Sequence, residues 1–377
     1  MTHMTVIIDT TQELNHAFYM QTGLYELEHE GVIAVKTRLS VAGRKGCYVV
    51  DNNGQVQVTS QPFPKTSFYT LKDHKTGKRI KFAADLYDHA EQFSKTALET
   101  CDFYFKRNYE SHYISKLSKD YQEKIHPLGL TFRVMSVHQK MKEVLFWGLM
   151  LSNLNVNLKF DRLFFKRLLK TYRAQINHWK FISTTRLLNR FETFQKSTSE
   201  TIFFQTRCFQ HENQEDVKQI HHQRYHIIKL LQQAFPEQFQ GGFIPSPLAH
   251  HYYADALSNV PSEPEQYLEA LKQAKVVIYT RGLARSPAWK MAEYLSQGKV
   301  IIAEPLTAEL PEPLIHGIHL LYFNSDEELV KNIETVLRDE VLCDTLSKNA
   351  RIYFETQVHP AKNLKRILDL MLFKSLS

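Results

Sequence analysis

The stretch from Ala274 to Ala303, AKVVIYTRGLARSPAWKMAEYLSQGKVIIA, constrains the fold more tightly than any other part of the chain. Val276–Tyr279 and Val300–Ala303 are short, continuous apolar runs bounded by polar residues. Runs of this kind belong to strands buried on both faces. Between them lie a polar loop, a helical-period segment expected over Ala288–Gln297, and Gly298 as its stop. Parallel strands need a crossover, usually a helix. The stretch therefore predicts a strand–helix–strand unit of a parallel sheet. Ser286 is expected as the helix cap and Pro287 as the first helical residue. In open sheets of this class, ligands bind beyond the carboxyl ends of the strands. The loop Arg281–Pro287 occupies that place, with cations and helix-start N–H groups to offer an anion. Lys290 and Glu293 are three apart and share a helix face. One suits a phosphate and the other the hydroxyls of a ribose.

The same alternation recurs on both sides. In the N-terminal third, Thr5–Ile8, Val32–Thr37, Arg79–Leu86 and Asp102–Lys106 read as strands. Thr11–Glu30, Asp88–Leu98 and Tyr109–Lys119 read as helices, and Asp51-Asn-Asn-Gly54 as a hairpin turn. That order argues for a parallel sheet with helices on its faces. From about Thr201 the pattern resumes, with a strand Ile202–Gln205 leading into Arg207, a helix Gln214–Ala234 and a helix Pro264–Gln273. A chain of 377 residues holds two such domains.

Between them the character changes. Residues 139–196 carry about a dozen Lys or Arg against about three acids. Leu163, Phe164, Phe165, Leu168 and Leu169 alternate there with Lys166, Arg167, Lys170 and Arg173, as in a basic amphipathic helix. Most of the net +7 sits in this segment. Three readings stay open: a packed insert with solvated cations, a surface for an anionic membrane, and a nucleic-acid surface. No nucleic-acid motif accompanies it, so no nucleic-acid partner is expected. The four cysteines, Cys47, Cys101, Cys208 and Cys343, include no Cys-x-x-Cys pair, which disfavours zinc knuckles and a disulfide framework. The pairs His221-His222 and His250-His251 lack helical metal-site spacing, and no metal site is expected. There is no signal-like start and no run of about 18 apolar residues. The expected location is the cytoplasm, with a peripheral position at the inner membrane face if the basic segment binds lipid.

These residues resemble a family. The pattern Glu293-Tyr294 … Gly298-Lys299-Val300-Ile301-Ile302-Ala303 after a strand and loop is similar to the donor half of GT-B glycosyltransferases. It is followed by Glu304-Pro305, Gly317-x-His319-x-x-x-Phe323 and Ser325-Asp326-Glu327-Glu328-Leu329. Asp85-x-Tyr87-Asp88, Asp102-x-Tyr104-Phe105-Lys106-Arg107 and Pro127-x-Gly129-Leu130 resemble the bacterial surface-polysaccharide and spore-maturation group.

The resemblance implies two Rossmann-like α/β domains facing a cleft. They would be an acceptor domain over 1–198 with the helical insert 139–196, a nucleotide-sugar domain over 199–355, and a final helix, 356–377, packing back on the first domain. It implies transfer of a sugar from a nucleotide diphosphate sugar to a hydroxyl of a glycan or lipid-linked acceptor, with no cofactor and no metal. By position, Glu293 would hold the ribose, and Arg207 the diphosphate. Arg281, Ser286 and Lys290 complete the expected donor contacts. Many retaining members carry a second Glu eight residues before the ribose Glu; here Arg285 stands in that place, which leaves inverting transfer and a variant donor site open. An inverting reaction needs a base for the acceptor hydroxyl. Asp85 and Asp88, at the end of a predicted strand, are the candidates, Asp88 preferred. A non-catalytic binding protein and a nucleotide-sugar epimerase are the alternative readings. The nucleotide base would be read around Asn259–Pro261.

Overall fold

The computed structural model describes residues 3–9, 14–38, 45–62, 65–139, 162–194, 196, 199–210 and 214–376. Residues 140–161, the first part of the expected basic insert, lie outside them. The chain divides into two compact units. The first is Met1–Asn189 with Ala308–Pro311 and Val358–Ser377; the second is Arg190–Thr307 with Glu312–Gln357.

The first unit contains β1 (Met4–Asp9), α1 (Leu14–His29), β2 (Ala34–Arg38), β3 (Lys45–Val50), β4 (Val56–Pro62), β5 (Thr66–Asp73), β6 (Arg79–Asp85) and β7 (Gln92–Ser94). It continues with α2 (Lys95–Thr100), β8 (Phe103–Lys106), β9 (Ile125–Pro127) and α3 (Phe164–Thr185). Its main sheet runs β2-β1-β5-β6-β8-β9. The expected parallel sheet is present with one strand reversed. Strand β5 is antiparallel to both β1 and β6, because β5 and β6 are joined by a tight turn at Asp73–Lys78, and so short a connection permits only an antiparallel pair. The helix expected over Asp88–Leu98 starts only at Lys95, capped by Ser94. Gln92–Ser94 instead pairs with β3 in the small sheet β4-β3-β7.

The C-terminal helix Pro360–Leu376 belongs to the first unit and packs on α1. Tyr19 donates to the carbonyl of Val358 (2.7 Å), and Asn363 donates to Tyr19 Oη (3.0 Å) and to Leu128 O (2.9 Å). The approach is close enough that a Cβ on Gly23 would stand 2.4 Å from Pro360 O, so only glycine fits there. Helix α3 buries Trp179 and Ile182, with Tyr172 and Ile176, against Phe18 and Met135.

In the second unit, β10 (Ile202–Thr206), β11 (Phe239–Phe243), β12 (Val276–Tyr279), β13 (Val300–Ala303) and β14 (Leu321–Tyr322) form an all-parallel sheet ordered β11-β10-β12-β13-β14. Strands β10, β12 and β13 are buried throughout. Alternate residues feed the two faces. Phe204, Ile278 and Ile302 pack with α4 (Glu215–Ala234), α7 (Asp326–Arg338) and α8 (Glu340–Tyr353). On the other face, Phe203 meets Tyr267 of α5 (Pro264–Gln273) at a ring separation of 5.8 Å. Two α/β units with parallel strands are the fold class expected from the sequence. Strand β11 carries Gly241 at φ 135°, where a Cβ would fall 2.1 Å from Phe204 O; the backbones of β10 and β11 allow no side chain there.

Candidate functional site

The carboxyl ends of β10, β12, β13 and β14 converge, and the loops that leave them carry the second unit's candidates. Helix α6 (Lys290–Ser296) follows β12. It begins later than the sequence implies. Trp289 takes the N-cap position and makes no side-chain cap bond. Ser286 is buried, but its backbone closes a turn instead: its N–H bonds Leu283 O (3.0 Å), and its carbonyl accepts from Gly282 N–H (2.9 Å). The expectation of Ser286 as cap and Pro287 as first helical residue is therefore corrected. Ala288 N–H, near the helix start, is taken by Tyr279 Oη at 2.8 Å. The loop turns through two non-glycine residues in left-handed conformation, Ala284 (φ 50°) and Arg285 (φ 58°). Such backbone strain persists only where surroundings fix it, and it concentrates at functional sites. Asp216 of α4 fixes this one, accepting from Ala284 N–H (2.8 Å) and pairing with Arg281 (2.5 Å).

Lys290, at the start of α6, donates to the carbonyl of Gln205 at the end of β10. The Gln205 side chain donates to Ser258 Oγ (3.1 Å) and Val260 O (2.6 Å), which ties down the loop expected to read a base. Glu293 is buried and accepts from Tyr267 Oη at 3.1 Å. Arg207 is exposed, its guanidinium 5.4 Å from the Phe209 ring. Among the described residues, no carboxylate pairs with Arg207 or Arg285.

Sequence reasoning missed Arg224. It is buried in α4, donates to Arg207 O (3.0 Å) and Arg281 O (3.1 Å), and stacks 5.1 Å from Phe209. It thereby joins the loop after β10 to the loop after β12. A signal existed: Val217, Ile220, Ile227, Ile228 and Leu231 are the buried stripe of this helix, and Arg224 falls on it.

These cations act on one another. Loss of hydration lowers Arg224 to about 10, with the Arg207 charge adding to it. Desolvation also draws Lys290 down to about 7; Glu293 opposes the shift, and Arg224 and Arg207 reinforce it. Three cations thus share a site with two carboxylates, Glu293 favouring the Lys290 charge and Glu304 the Arg224 charge. Beside them, Arg281, Arg285, Glu304, Asn324 and Ser325 line a hollow of about 490 Å³. Burial raises the Glu304 carboxyl, which accepts from Gln223 at 2.6 Å.

The first unit places its candidates differently. Asp85 is fully buried. Tyr104 Oη (2.5 Å), Lys106 Nζ (3.0 Å) and Tyr87 N–H (2.9 Å) all donate to it. A sealed carboxylate of this kind cannot meet an acceptor hydroxyl, and the expectation of Asp85 as base is corrected. Asp88 pairs with Lys65 (2.6 Å) and with Arg107. Burial works against its charge, yet these two cations overcome it and hold the carboxyl at about 2. That is too acidic for an effective base near neutral pH. Asp88 does not cap a helix; its carbonyl accepts from Asn108 at 2.6 Å.

Among the described residues, no group of three or more His, Cys, Asp or Glu is placed to hold a metal ion, and no helix is long and apolar enough to cross a membrane.

Residues 239–369 match the family described as "Glycosyl transferase-like". The match runs through most of the second unit and includes Lys290 and Glu293. No curated protein matches the chain. Similar solved structures include the C-terminal domain of a glycosyl transferase group 1 family protein from Francisella tularensis, at 12% identity over 43% of this chain and 87% of that one, TM-score 0.31. A UDP-GlcNAc 2-epimerase from Neisseria meningitidis bound to UDP-GlcNAc is similar at 15% identity over 74% and 64%, TM-score 0.36. HepE from Anabaena, in complex with UDP and glucose, is similar at 13% identity over 74% and 67%, TM-score 0.37. The chain spans less than two thirds of the epimerase's length. At these TM-scores the likenesses carry no argument of their own.

Proposed function

We propose that this chain is a GT-B-type glycosyltransferase whose second unit binds a nucleoside diphosphate sugar. One observation carries the reading: Arg207, Arg224 and Lys290 crowd the strand ends, and desolvation and one another's charges lower Arg224 and Lys290 although Glu304 opposes the first shift and Glu293 the second. Such a cluster is electrostatically strained until an anion enters. A diphosphate supplies the missing charge. The family match, which includes Lys290 and Glu293, supports this choice of anion.

In this reading Lys290 and Arg207 contact the diphosphate, and Arg224 holds the two loops at the spacing the phosphates need. Glu293, oriented by Tyr267, accepts hydrogen bonds from the ribose hydroxyls. The loop tied by Gln205 faces the base. Arg281 and Arg285, on the hollow, lie where the sugar end extends. As the glycosyl–phosphate bond breaks, negative charge grows on the leaving diphosphate. Fixed cations in a poorly hydrated site stabilise that charge without reorganising. The arginines and Lys290 do this work without a metal. The acceptor is a glycan or a lipid-linked glycan; a lipid-linked acceptor places the enzyme at the cytoplasmic face of an anionic membrane. Neither Asp85 nor Asp88 serves as base in this proposal.

Calorimetry with UDP- and GDP-sugars tests it. One of them binds, and Glu293→Ala weakens that binding at least tenfold. Absence of binding by every nucleotide sugar, or an unchanged affinity in the variant, overturns the reading. Slow donor hydrolysis without acceptor separates an enzyme from a non-catalytic binder, and an epimerised free sugar would mark an epimerase instead.

A further inference from the structure

Arg224 holds one polar group of the segment that follows β10, and a second residue of α4 holds another. His221 stands one turn before Arg224 on the buried side of that helix. It is 3% exposed. The N–H of Phe209 donates to its Nε2 at 2.8 Å, while Arg224 donates to the carbonyl of Arg207 at 3.0 Å. The two side chains thus grip an N–H and a carbonyl of one short segment. Rings fill the space around them. His221 lies parallel to Phe209 at 6.2 Å, and meets Phe243 of β11 and Tyr253 edge-on at 6.4 and 6.0 Å. Phe209 in turn carries both guanidiniums, Arg224 at 5.1 Å and Arg207 at 5.4 Å. The position of Arg207 therefore depends on Phe209, and that of the Phe209 amide on His221.

We propose that His221 is a positioning residue of the donor site: as a neutral imidazole it accepts from Phe209 N–H and so holds Arg207 where the diphosphate is met. The inference rests on the reading of this site as one for a nucleoside diphosphate sugar. An imidazole that accepts at Nε2 carries its proton at Nδ1. A second proton at Nε2 turns the acceptor into a donor and sets two N–H groups against each other across 2.8 Å, so the segment must shift. The surroundings oppose that proton. Burial, and after it the Arg224 charge, lower the imidazole below its ordinary 6.5. Of the groups packed on the ring, Arg224 is charged and Tyr253 is a phenol; among the described residues no carboxylate bonds to it. Donor affinity should therefore fall on both sides of neutrality, above about 7 as Lys290 loses its proton and in acid as His221 gains one. The charge of a protonated His221 would by itself attract a phosphate, so the sign of the acid effect separates positioning from charge.

The test is calorimetry of the full chain with UDP-glucose and with GDP-mannose, repeated from about pH 7 down to about pH 5. The native chain binds one of them more weakly as pH falls. His221→Gln, whose amide oxygen reaches the Nε2 position and does not titrate, keeps the neutral-pH affinity and loses the acid decline. His221→Phe keeps the ring but offers no acceptor, and weakens binding roughly tenfold at neutral pH, the equivalent of one lost hydrogen bond. A donor-free measurement on the native chain accompanies these, since a core variant can fail to fold. By hydrogen exchange, read against the intrinsic rate, the Phe209 amide is protected at neutral pH and loses that protection in acid. An acid decline that persists in His221→Gln, an affinity that rises on acidification, or a Phe209 amide unprotected at neutral pH overturns this inference and leaves the donor reading standing. Absence of binding by every nucleotide sugar overturns the donor reading and this inference with it.

Discussion

Lys290 offers the sharpest test of the donor site, because its charge is poised. Desolvation, helped by the Arg224 and Arg207 charges, holds it at about 7, against 10.5 for an ordinary lysine. At about pH 8 only roughly a tenth of the unliganded protein carries this proton. A nucleotide sugar has no group of its own titrating in this range, and its diphosphate favours the ammonium. If the bound-state value recovers by two units or more, donor binding takes up about 0.8–0.9 proton at pH 8 and about half a proton at pH 7. Calorimetric titrations in HEPES and in Tris at matched pH read this directly, because the difference in observed enthalpy equals proton uptake times the difference in buffer ionisation enthalpy. The affinity follows, with Kd rising about tenfold per pH unit above 7. Lys290→Arg, which stays charged, binds without uptake. Lys290→Met loses both the uptake and much of the affinity. Tight binding at pH 8 with no proton uptake by the native chain refutes the argument, because the depressed lysine would then not face the anion.

Two further substitutions check the scaffold, one in each unit. Asp88 titrates at about 2 in the folded chain against an ordinary 3.8, so its contribution is full above about pH 4 and is lost as pH falls towards 2; Asp88→Asn should cost about 2 kcal/mol at neutral pH in denaturant unfolding, and the gap should close on acidification. Arg224→Lys keeps a charge but cannot span both loop carbonyls; it should lower stability by about 3 kcal/mol and weaken donor binding, and wild-type behaviour in both assays would exclude a bridging role.

The legible parts of this chain are those whose signal is local. Val276–Tyr279, Val300–Ala303 and Pro264–Gln273 were readable to the residue, since an apolar run between polar boundaries, or a Pro at a helix start, is decided by near neighbours. Ser286-Pro287 carries the local signature of a helix start, yet Asp216, distant in sequence, pins the preceding turn and delays the helix to Lys290. Residues 92–94 lose their helical preference to pairing with β3. Asp85 and Asp88 show the same limit in chemistry. Their position at a strand end was legible, but Tyr104, Lys106, Lys65 and Arg107, which decide their protonation and access, are brought to them only by the fold.

The cost of the proposed donor site points to why its parts are where they are. A desolvated cation among other cations is destabilising unless paired, and the unliganded second unit holds the buried Arg224 and the half-buried Lys290 close to that condition together. The neighbourhood relieves them only in part: Glu293 favours the Lys290 charge but already accepts from Tyr267, and Glu304 favours the Arg224 charge but already accepts from Gln223. Backbone carbonyls take the load instead, Gln205 O for Lys290, and Arg207 O and Arg281 O for Arg224. Carbonyls satisfy donors without neutralising charge. The site is therefore ordered in advance yet left with net positive potential, which is the condition under which an entering diphosphate gains most. The same reasoning makes Arg285 consistent with the reading. In the proposed donor site, where cations outnumber carboxylates, an arginine at the sugar end adds to the field that draws the leaving group's charge, whereas an acid there would have to be offset.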